Sequence, residues 1–295
     1  MSGVPQGSVL GPLLFILYIN DLPSHVKSSI KMFADDTKIF TTVNTTEDLT
    51  KLQDDISALQ LWSEKWLLRF NADKCKTMHL GNNNLQGVYK MKDKELQNTD
   101  QEKDLGVFIT SDCKPSTQCT KAAQKAMNSL RVIKRTFKYI NKDSFTILYK
   151  TYIRPHLEFC VQAWNPGLKK DIHVLEKIQR RATKLVPKFK HLEYQDRLNM
   201  LNLYSLAQRR ERGDLIETFK ILKGLERTQP SYFFQLADTD TRGHSLKLFK
   251  PRLDKSLKCR ADFFSQRVIN QWNKLPKYVI GAKTTNAFKN ELDRY

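Results

Sequence analysis

Apolar and polar positions change rhythm several times along the chain. Leu13-Leu14-Phe15-Ile16-Leu17-Tyr18-Ile19 is an unbroken apolar run that ends at Asn20-Asp21. It falls short of the ~18 residues a membrane span needs and predicts a buried helix. Ile30, Met32, Phe33 and Ala34 then lead into Asp35-Asp36, and Thr37, Ile39 and Phe40 lead out. That pattern predicts two short strands with a pair of acids at the hairpin tip. Asn44-Thr45-Thr46-Glu47 predicts a helix start with a reciprocal acid. Leu49, Leu52, Ile56, Leu59, Trp62 or Trp66, and Phe70 follow at helical spacing and predict a core face packed beneath the hairpin. A turn at Asn71 to Lys74 leads into an alternating strand toward Gly81. Val88 to Met91 and Leu105 to Ile109 predict two further strands around the polar run Lys92 to Lys103.

From Pro115 the rhythm turns helical. Cys119, Ala123, Met127, Leu130, Ile133 and Phe137 define one apolar face, with Lys121, Lys125, Arg131, Lys134, Arg135 and Lys138 mostly off it. A second helix starts at Asp143 and ends near Pro155, since proline lacks the N–H and clashes with the preceding turn. A third runs from Asp171 to Leu185 with Ile172, Leu175, Ile178 and Ala182 inward. Lys177, Arg180, Arg181 and Lys184 make a second basic stripe on it. Leu198 to Leu206 open another helical region, with Gly224 as its C-terminal cap. Residues 225–258 carry the weakest pattern and read as loops. Phe263 to Leu275 predicts a helix stopped by Pro276, and a last one spans Thr285 to Leu292.

Charge sharpens this picture. The 295 residues carry a formal net charge of +19. Residues 1–112 hold 12 basic and 15 acidic side chains, and residues 113–295 hold 38 and 16. All the excess positive charge therefore lies in the helical part, which points to a polyanion, nucleic acid above all. Five scattered cysteines, Cys75, Cys113, Cys119, Cys160 and Cys259, contain no Cys-x-x-Cys pair, so no zinc knuckle is expected and free thiols suit a reducing compartment. His156 and Cys160 lie one helical turn apart, where core packing is expected rather than a metal. No cleavable signal is expected, since Met1 leads into a glycine-rich loop rather than a basic n-region.

The chemistry concentrates near the beginning. Two carboxylates at a tight hairpin tip repel each other, and a hard divalent cation is the usual reason for such a pair. A solvated turn is the plain alternative. Upstream lies Gly3-Val4-Pro5-Gln6-Gly7-Ser8-Val9-Leu10-Gly11-Pro12, a tight loop whose backbone can approach a ligand closely. The wording Gly-Val-Pro-Gln-Gly-Ser-Val-Leu-Gly-Pro-Leu-Leu-Phe followed by Phe33-Ala34-Asp35-Asp36 resembles motifs B and C of reverse transcriptases. It is most similar to the non-LTR (LINE) retrotransposon branch of the jockey and chicken-repeat type. The resemblance extends through the tail, including Arg242-Gly243-His244-Ser245 and Phe288-Lys289-Asn290-Glu291-Leu292.

That resemblance implies an α+β fold: a partial right-hand polymerase palm (antiparallel hairpin with packed helices) over 1–112, a helical thumb over 113–190, and a helical C-terminal extension over 191–295. It implies that Asp35 and Asp36 are the metal and catalytic acids, Asp35 the main ligand, with Lys74 protonating the leaving pyrophosphate. Pro5, Gln6 and Gly7 would contact substrate, and Leu105, Gly106 and Val107 would form the primer grip. Lys121, Lys125, Arg131, Lys134, Arg135, Lys138, Lys177, Arg180, Arg181 and Lys184 would meet nucleic-acid phosphates. The implied cofactor is Mg2+ in a two-metal site. The implied partners are an RNA template, a DNA primer and deoxynucleoside triphosphates, inside the cell, in nucleus or cytoplasm, and no membrane.

One donor of that site is not in these 295 residues. The aspartate of motif A precedes motif B in the family, and Asp21 reads as a turn or cap residue rather than a substitute. The expectation is a truncated reverse transcriptase, inactive alone, whose N-terminal half is a possible partner. A non-catalytic basic nucleic-acid-binding module and a functionless retrotransposon relic are the alternatives.

Overall fold

The structure is a computed structural model and describes residues 7–81, 83–238, 243–252 and 258–295. The chain divides into two compact units, Met1–Glu102 and Lys103–Tyr295.

The first unit is built on one long helix. Helix α1 (Leu10–Ile19) precedes the antiparallel strands β1 (Ser29–Phe33) and β2 (Asp36–Phe40), and α2 (Thr46–Lys65) follows. Thr45 caps α2: its hydroxyl accepts the Asp48 amide at 3.2 Å while the Asp48 carboxylate accepts the Thr45 amide at 3.0 Å. Ile56, Leu59 and Trp62 are the buried apolar residues of α2, and Met32 and Ile39 of the hairpin pack against that face, so the hairpin does lie on this helix. A run of very short strands follows: β3 (Lys76–Thr77), β4 (Lys90–Met91), β5 (Lys94–Glu95) and β6 (Gln97–Asn98). β4 pairs with β5 antiparallel and β3 with β6 in parallel.

Two expectations fail here. The run over Leu13–Ile19 is helical but not buried: Ile19 is its one buried residue among those described, Phe15 is partly covered, and Leu17 is 65% exposed. A helix apolar all round can turn only one side to α2. The polar run Lys92 to Lys103 is not a bare connection but holds β5, β6 and the start of β7 (Gln101–Asp104), which pairs with β8 (Val107–Thr110). The strand expected from Leu105 begins only at Val107, because Leu105 and Gly106 form the turn.

The second unit is helical: α3 (Ser116–Thr136), α4 (Lys142–Leu148), α5 (Arg154–Glu158), α6 (Val161–Trp164), α7 (Lys169–Thr183), α8 (Tyr194–Met200) and α9 (Leu206–Leu222). Then come α10 (Lys258–Ala261), α11 (Phe264–Arg267), α12 (Ile269–Lys274), α13 (Lys277–Ile280) and α14 (Thr285–Arg294). Pro155 does not end its helix. A π turn over Tyr149–Ile153 intervenes, with the Arg154 amide reaching the Tyr149 carbonyl, and the helix resumes with proline in its first turn, where no N–H is needed. On α3 the buried face comprises Gln118, Cys119, Ala122, Ala123, Ala126, Leu130 and Ile133, whereas Phe137 is exposed. The helix formed by Phe263 to Leu275 is broken in two at Val268. Gly224 sits just past α9 at φ +66, and the Leu225 amide bonds to the Lys220 carbonyl, which closes the helix as expected.

Two cores fill this unit. One runs from Val107 through α3, α4, α5 and α7 to Leu206; the other joins α9 to the tail through Phe219, Trp272 and Phe288. Buried polar residues tie the helices together. Glu176 of α7 accepts the Tyr194 hydroxyl at 2.5 Å and the Leu206 amide at 3.2 Å, and so fixes the starts of α8 and α9. Among the described residues no helix is long and apolar enough to cross a membrane.

Candidate functional site

The acid pair sits where the sequence put it. β1 and β2 pair in register from Ser29↔Phe40 to Phe33↔Asp36, leaving Ala34 and Asp35 as a two-residue loop. Ala34 has φ +51, a conformation that favours glycine and costs a residue with a Cβ about 1–2 kcal/mol. Asp35 and Asp36 are both exposed. Their carboxylates are thus held at the tip of a pinned hairpin and open to solvent. The same left-handed conformation occurs at seven other non-glycine residues among those described, Leu67 and Asn202 among them, so here it describes the turn and not its use.

The hairpin is anchored from below. The Asp55 carboxylate, only 2% exposed on α2, accepts the backbone amides of Lys27 and Ser28 at 2.7 and 2.8 Å just before β1 begins. Burial alone would raise this carboxyl; the Lys27 and Ser28 contacts and the Lys51 charge outweigh it and hold Asp55 below the usual carboxylate range. Asp21 is engaged elsewhere, its Oδ1 accepting the Trp62 indole N–H at 3.0 Å. Sequence reading missed Asp55, because an acid within a helical stripe carries no signal until its partners are known.

A hard cation needs oxygen donors and takes one or two carboxylates together with substrate phosphates. Asp35 and Asp36 supply such donors. Among the described residues no cluster of three or more His, Cys, Asp or Glu side chains could hold a metal by itself. The donor set therefore fits a metal that is completed by substrate or by further protein.

Lys74 is exposed in a turn closed by the Lys74 and Cys75 amides on the Asn71 carbonyl, at 3.0 and 3.2 Å. No hydrogen bond or ion pair among the described residues joins it to Asp35 or Asp36. Pro5 and Gln6 lie outside the described residues. Gly7 is exposed at φ +85, with open space where a side chain would be.

Leu105 and Gly106 have φ +45 and +90 and form the two-residue turn between β7 and β8, while Val107 is buried in the core. Positive φ at both central positions is the turn class that matches strand twist. All ten cations singled out on or just beyond α3 and α7 are exposed: Lys121, Lys125, Arg131, Lys134, Arg135, Lys138, Lys177, Arg180, Arg181 and Lys184. Arg180 lies 4.5 Å above the Tyr194 ring, and Arg131 bonds to Asn128. α3 and α7 pack on each other through their buried faces, so the charges point away from the shared core.

His156 and Cys160 are both exposed, against the expectation of core packing. Cys160 has φ +52 and starts the turn into α6, so its side chain leaves the face that α5 buries. His156 instead lines a cavity with Lys103, Gly106, Gln118, Lys121, Ala122, Lys125 and Phe159. The tail motif Gly243-His244-Ser245 is structural: His244 is buried, its Nε2 3.1 Å from the Trp272 carbonyl, and Trp272 donates to the Leu246 carbonyl at 2.7 Å. Arg242 lies outside the described residues.

Comparison with known proteins agrees with the motifs. Residues 1–140 match the reverse transcriptase (RNA-dependent DNA polymerase) family. The chain is 26% identical over 199 residues to the RNA-directed DNA polymerase from mobile element jockey of Drosophila melanogaster, covering 63% of this chain and 22% of that protein. It is 24% identical, with the same coverage, to the jockey polymerase of Drosophila funebris. It is 27% identical to the probable RNA-directed DNA polymerase from transposon X-element of Drosophila melanogaster, again over 63% of this chain and 22% of that protein. No solved structure matches. The chain spans about a fifth of the length of these relatives (22%).

Proposed function

We propose that this chain, which resembles the non-LTR retrotransposon reverse transcriptases over most of its length, is the part of such an RNA-directed DNA polymerase that runs from motif B through the thumb. The observation that carries the reading is the Asp35-Asp36 hairpin tip, which falls within the residues that match the family. In this reading residues 1–112 are palm, 113–190 thumb and 191–295 a C-terminal extension.

Asp35 and Asp36 would hold Mg2+, which when bound supplies positive charge to the attacking 3′-oxygen and the triphosphate. The chain's own contribution is placement. Asp55 fixes the root of the hairpin, and the Ala34 turn presents both carboxylates to solvent. Lys74 offers a cation that can offset charge on the leaving pyrophosphate and donate a proton. Gly7 leaves room for close backbone approach, with Pro5 and Gln6 beside it in the sequence as substrate contacts. The turn at Leu105, Gly106 and Val107 would press on the primer end, and the α3 and α7 cations would hold the phosphates of the template and primer.

These residues supply one carboxylate pair, and phosphoryl transfer by two metals requires donors from a second strand. We infer that the chain does not polymerise alone and works with the polymerase half that carries motif A. The exposed apolar side of α1 is the kind of surface such a half would cover. The test is primer extension on an RNA template with Mg2+. The chain alone should give no product. The chain combined with the upstream half of a related polymerase should give product that Asp35→Ala abolishes. Robust synthesis by the chain alone would overturn the inference of incompleteness, and Asp35-independent synthesis would overturn the site.

A second reading, a nucleic-acid-binding module without chemistry, is favoured by the 38 basic against 16 acidic side chains of residues 113–295. It expects binding that falls steeply with salt and is indifferent to Asp35→Ala.

A further inference from the structure

Within the second unit, α3, α5 and the β7–β8 turn enclose a cavity of about 150 Å³. Its walls combine two chemistries. Lys121 and Lys125 rise from α3 one turn apart, with Gln118 a turn before them. His156 and Phe159 come from α5 and its end, and Gly106 closes the floor. Gln118 is committed to structure, since its Oε1 accepts the Phe108 amide at 3.0 Å and fixes the strand to the helix. Lys121 lies 5.8 Å above the Phe108 ring, which keeps its ammonium at the rim. Among the described residues no carboxylate lines the cavity.

Phe159 is the unexpected member. It is 56% exposed, although it sits at the edge of a well-filled core. Its backbone is fixed on both sides: its amide bonds to the Pro155 carbonyl at 3.0 Å, and its carbonyl accepts the Trp164 indole N–H at 2.8 Å. Its ring passes over Gly106, with Cε1 3.1 Å from where a Cβ would stand, so any other residue at 106 would push the ring aside. Gly106 thus leaves room for an exposed aromatic ring in a lining that also holds Lys121 and Lys125.

We propose that this cavity seats the phosphate of one unpaired nucleotide of a single strand, between Lys121 and Lys125, while the base stacks on Phe159 at its edge. The proposal rests on the nucleic-acid reading above and narrows it. A site for duplex phosphates alone needs lysines and no exposed ring, because paired bases keep their faces inside the stack. An unpaired base has a free π-face, and stacking on an aromatic side chain is tolerant of sequence. The cavity has room for a phosphate group but not for a nucleoside, which leaves the base outside it, on the Phe159 side. His156 offers a ring N–H to the phosphate or the sugar from the opposite wall.

The test is fluorescence anisotropy of the full chain with three labelled probes of one length over one series of salt concentrations: a single strand, a duplex, and a single strand of abasic nucleotides. The single strand should bind more tightly than the abasic strand. Phe159→Ala should weaken the single strand about tenfold and leave the duplex and the abasic strand unchanged. Lys125→Ala should lower the salt slope for both single strands by about 0.7. Phe159→Trp should restore single-strand binding, which separates stacking from misfolding. If the probes bind but Phe159→Ala weakens none of them, or weakens all of them equally while Phe159→Trp restores nothing, the proposal is overturned and the broader nucleic-acid reading stands. If the wild-type chain binds none of the probes, both fall.

Discussion

The Asp55 carboxylate holds the Ser28 amide at 2.8 Å, so the middle of α2 grips the chain one residue before the hairpin that carries Asp35 and Asp36. A buried carboxylate with two backbone N–H donors is a strong anchor, since hydrogen bonds to charged groups are worth more than neutral ones. Asp55→Asn should destabilise the first unit by about 1.5–3 kcal/mol at neutral pH. Because the folded carboxyl lies below its unfolded value, this stability is fully present above the unfolded pKa of about 3.9 and is lost as pH falls through the folded value. Urea unfolding should therefore show the wild-type advantage at pH 7 and its disappearance in strong acid. An advantage that persists at pH 2 would show that Asp55 acts through packing rather than charge.

His244 sets a different acid limit in the second unit. Burial lowers its pKa, the Trp272 carbonyl opposes that, and Lys247 adds to the lowering. The folded state thus prefers the neutral ring. Stability is complete above the unfolded value of about 6.5 and declines as pH falls below it. Amide protection across α12 and α14, corrected for the intrinsic pH dependence of exchange, should fall between about pH 7 and pH 5 before the first unit responds, and His244→Gln should flatten that response.

Arg267 and Asp214 form a two-pronged pair at 2.8 and 2.9 Å, and Arg267 also reaches the Gln162 and Asp262 carbonyls at 3.0 and 2.8 Å. Burial raises the Asp214 carboxyl despite Arg267, Asn165 and Arg210. Such a pair contributes little net stability but is costly to break. Arg267→Met should cost about 3–5 kcal/mol, and adding Asp214→Leu should recover only part of it, because the buried Arg210 then loses the Asp214 counter-charge. Thermal unfolding of the three variants decides this; a double variant as unstable as the single one would refute it.

Ala34 at φ +51 predicts a trade at the hairpin tip. Ala34→Gly should raise the stability of the first unit by roughly 0.5–1 kcal/mol, as relief of strain outweighs the added chain entropy. If the strain serves to aim Asp35, the same change should lower Asp35-dependent synthesis in the combined polymerase. Unchanged synthesis would show the turn to be merely tolerated.

Residue order alone was enough for the acid-tipped hairpin, the capped helix beneath it, the mainly helical character of the chain after Pro115 outside residues 225–258, and the concentration of positive charge there. Each is a local pattern: alternation, period-3.6 spacing, a capping box, a turn residue. The resemblance to reverse transcriptases was likewise carried by contiguous words such as Phe33-Ala34-Asp35-Asp36. Tertiary structure decided what depends on partners distant in sequence. Whether the Leu13–Ile19 run is covered depends on what packs against it, and α2 can cover only one side. Pro155 stays within a helix because a π turn changes which carbonyl meets which amide. Asp55, Glu176 and Asp214 became legible only when the fold brought donors to them, since a buried acid and a solvated one look alike in sequence. Phe159 and His156 gained their place beside Lys121 and Lys125 in the same way: residues some thirty positions apart meet because α3 and α5 pack on one core.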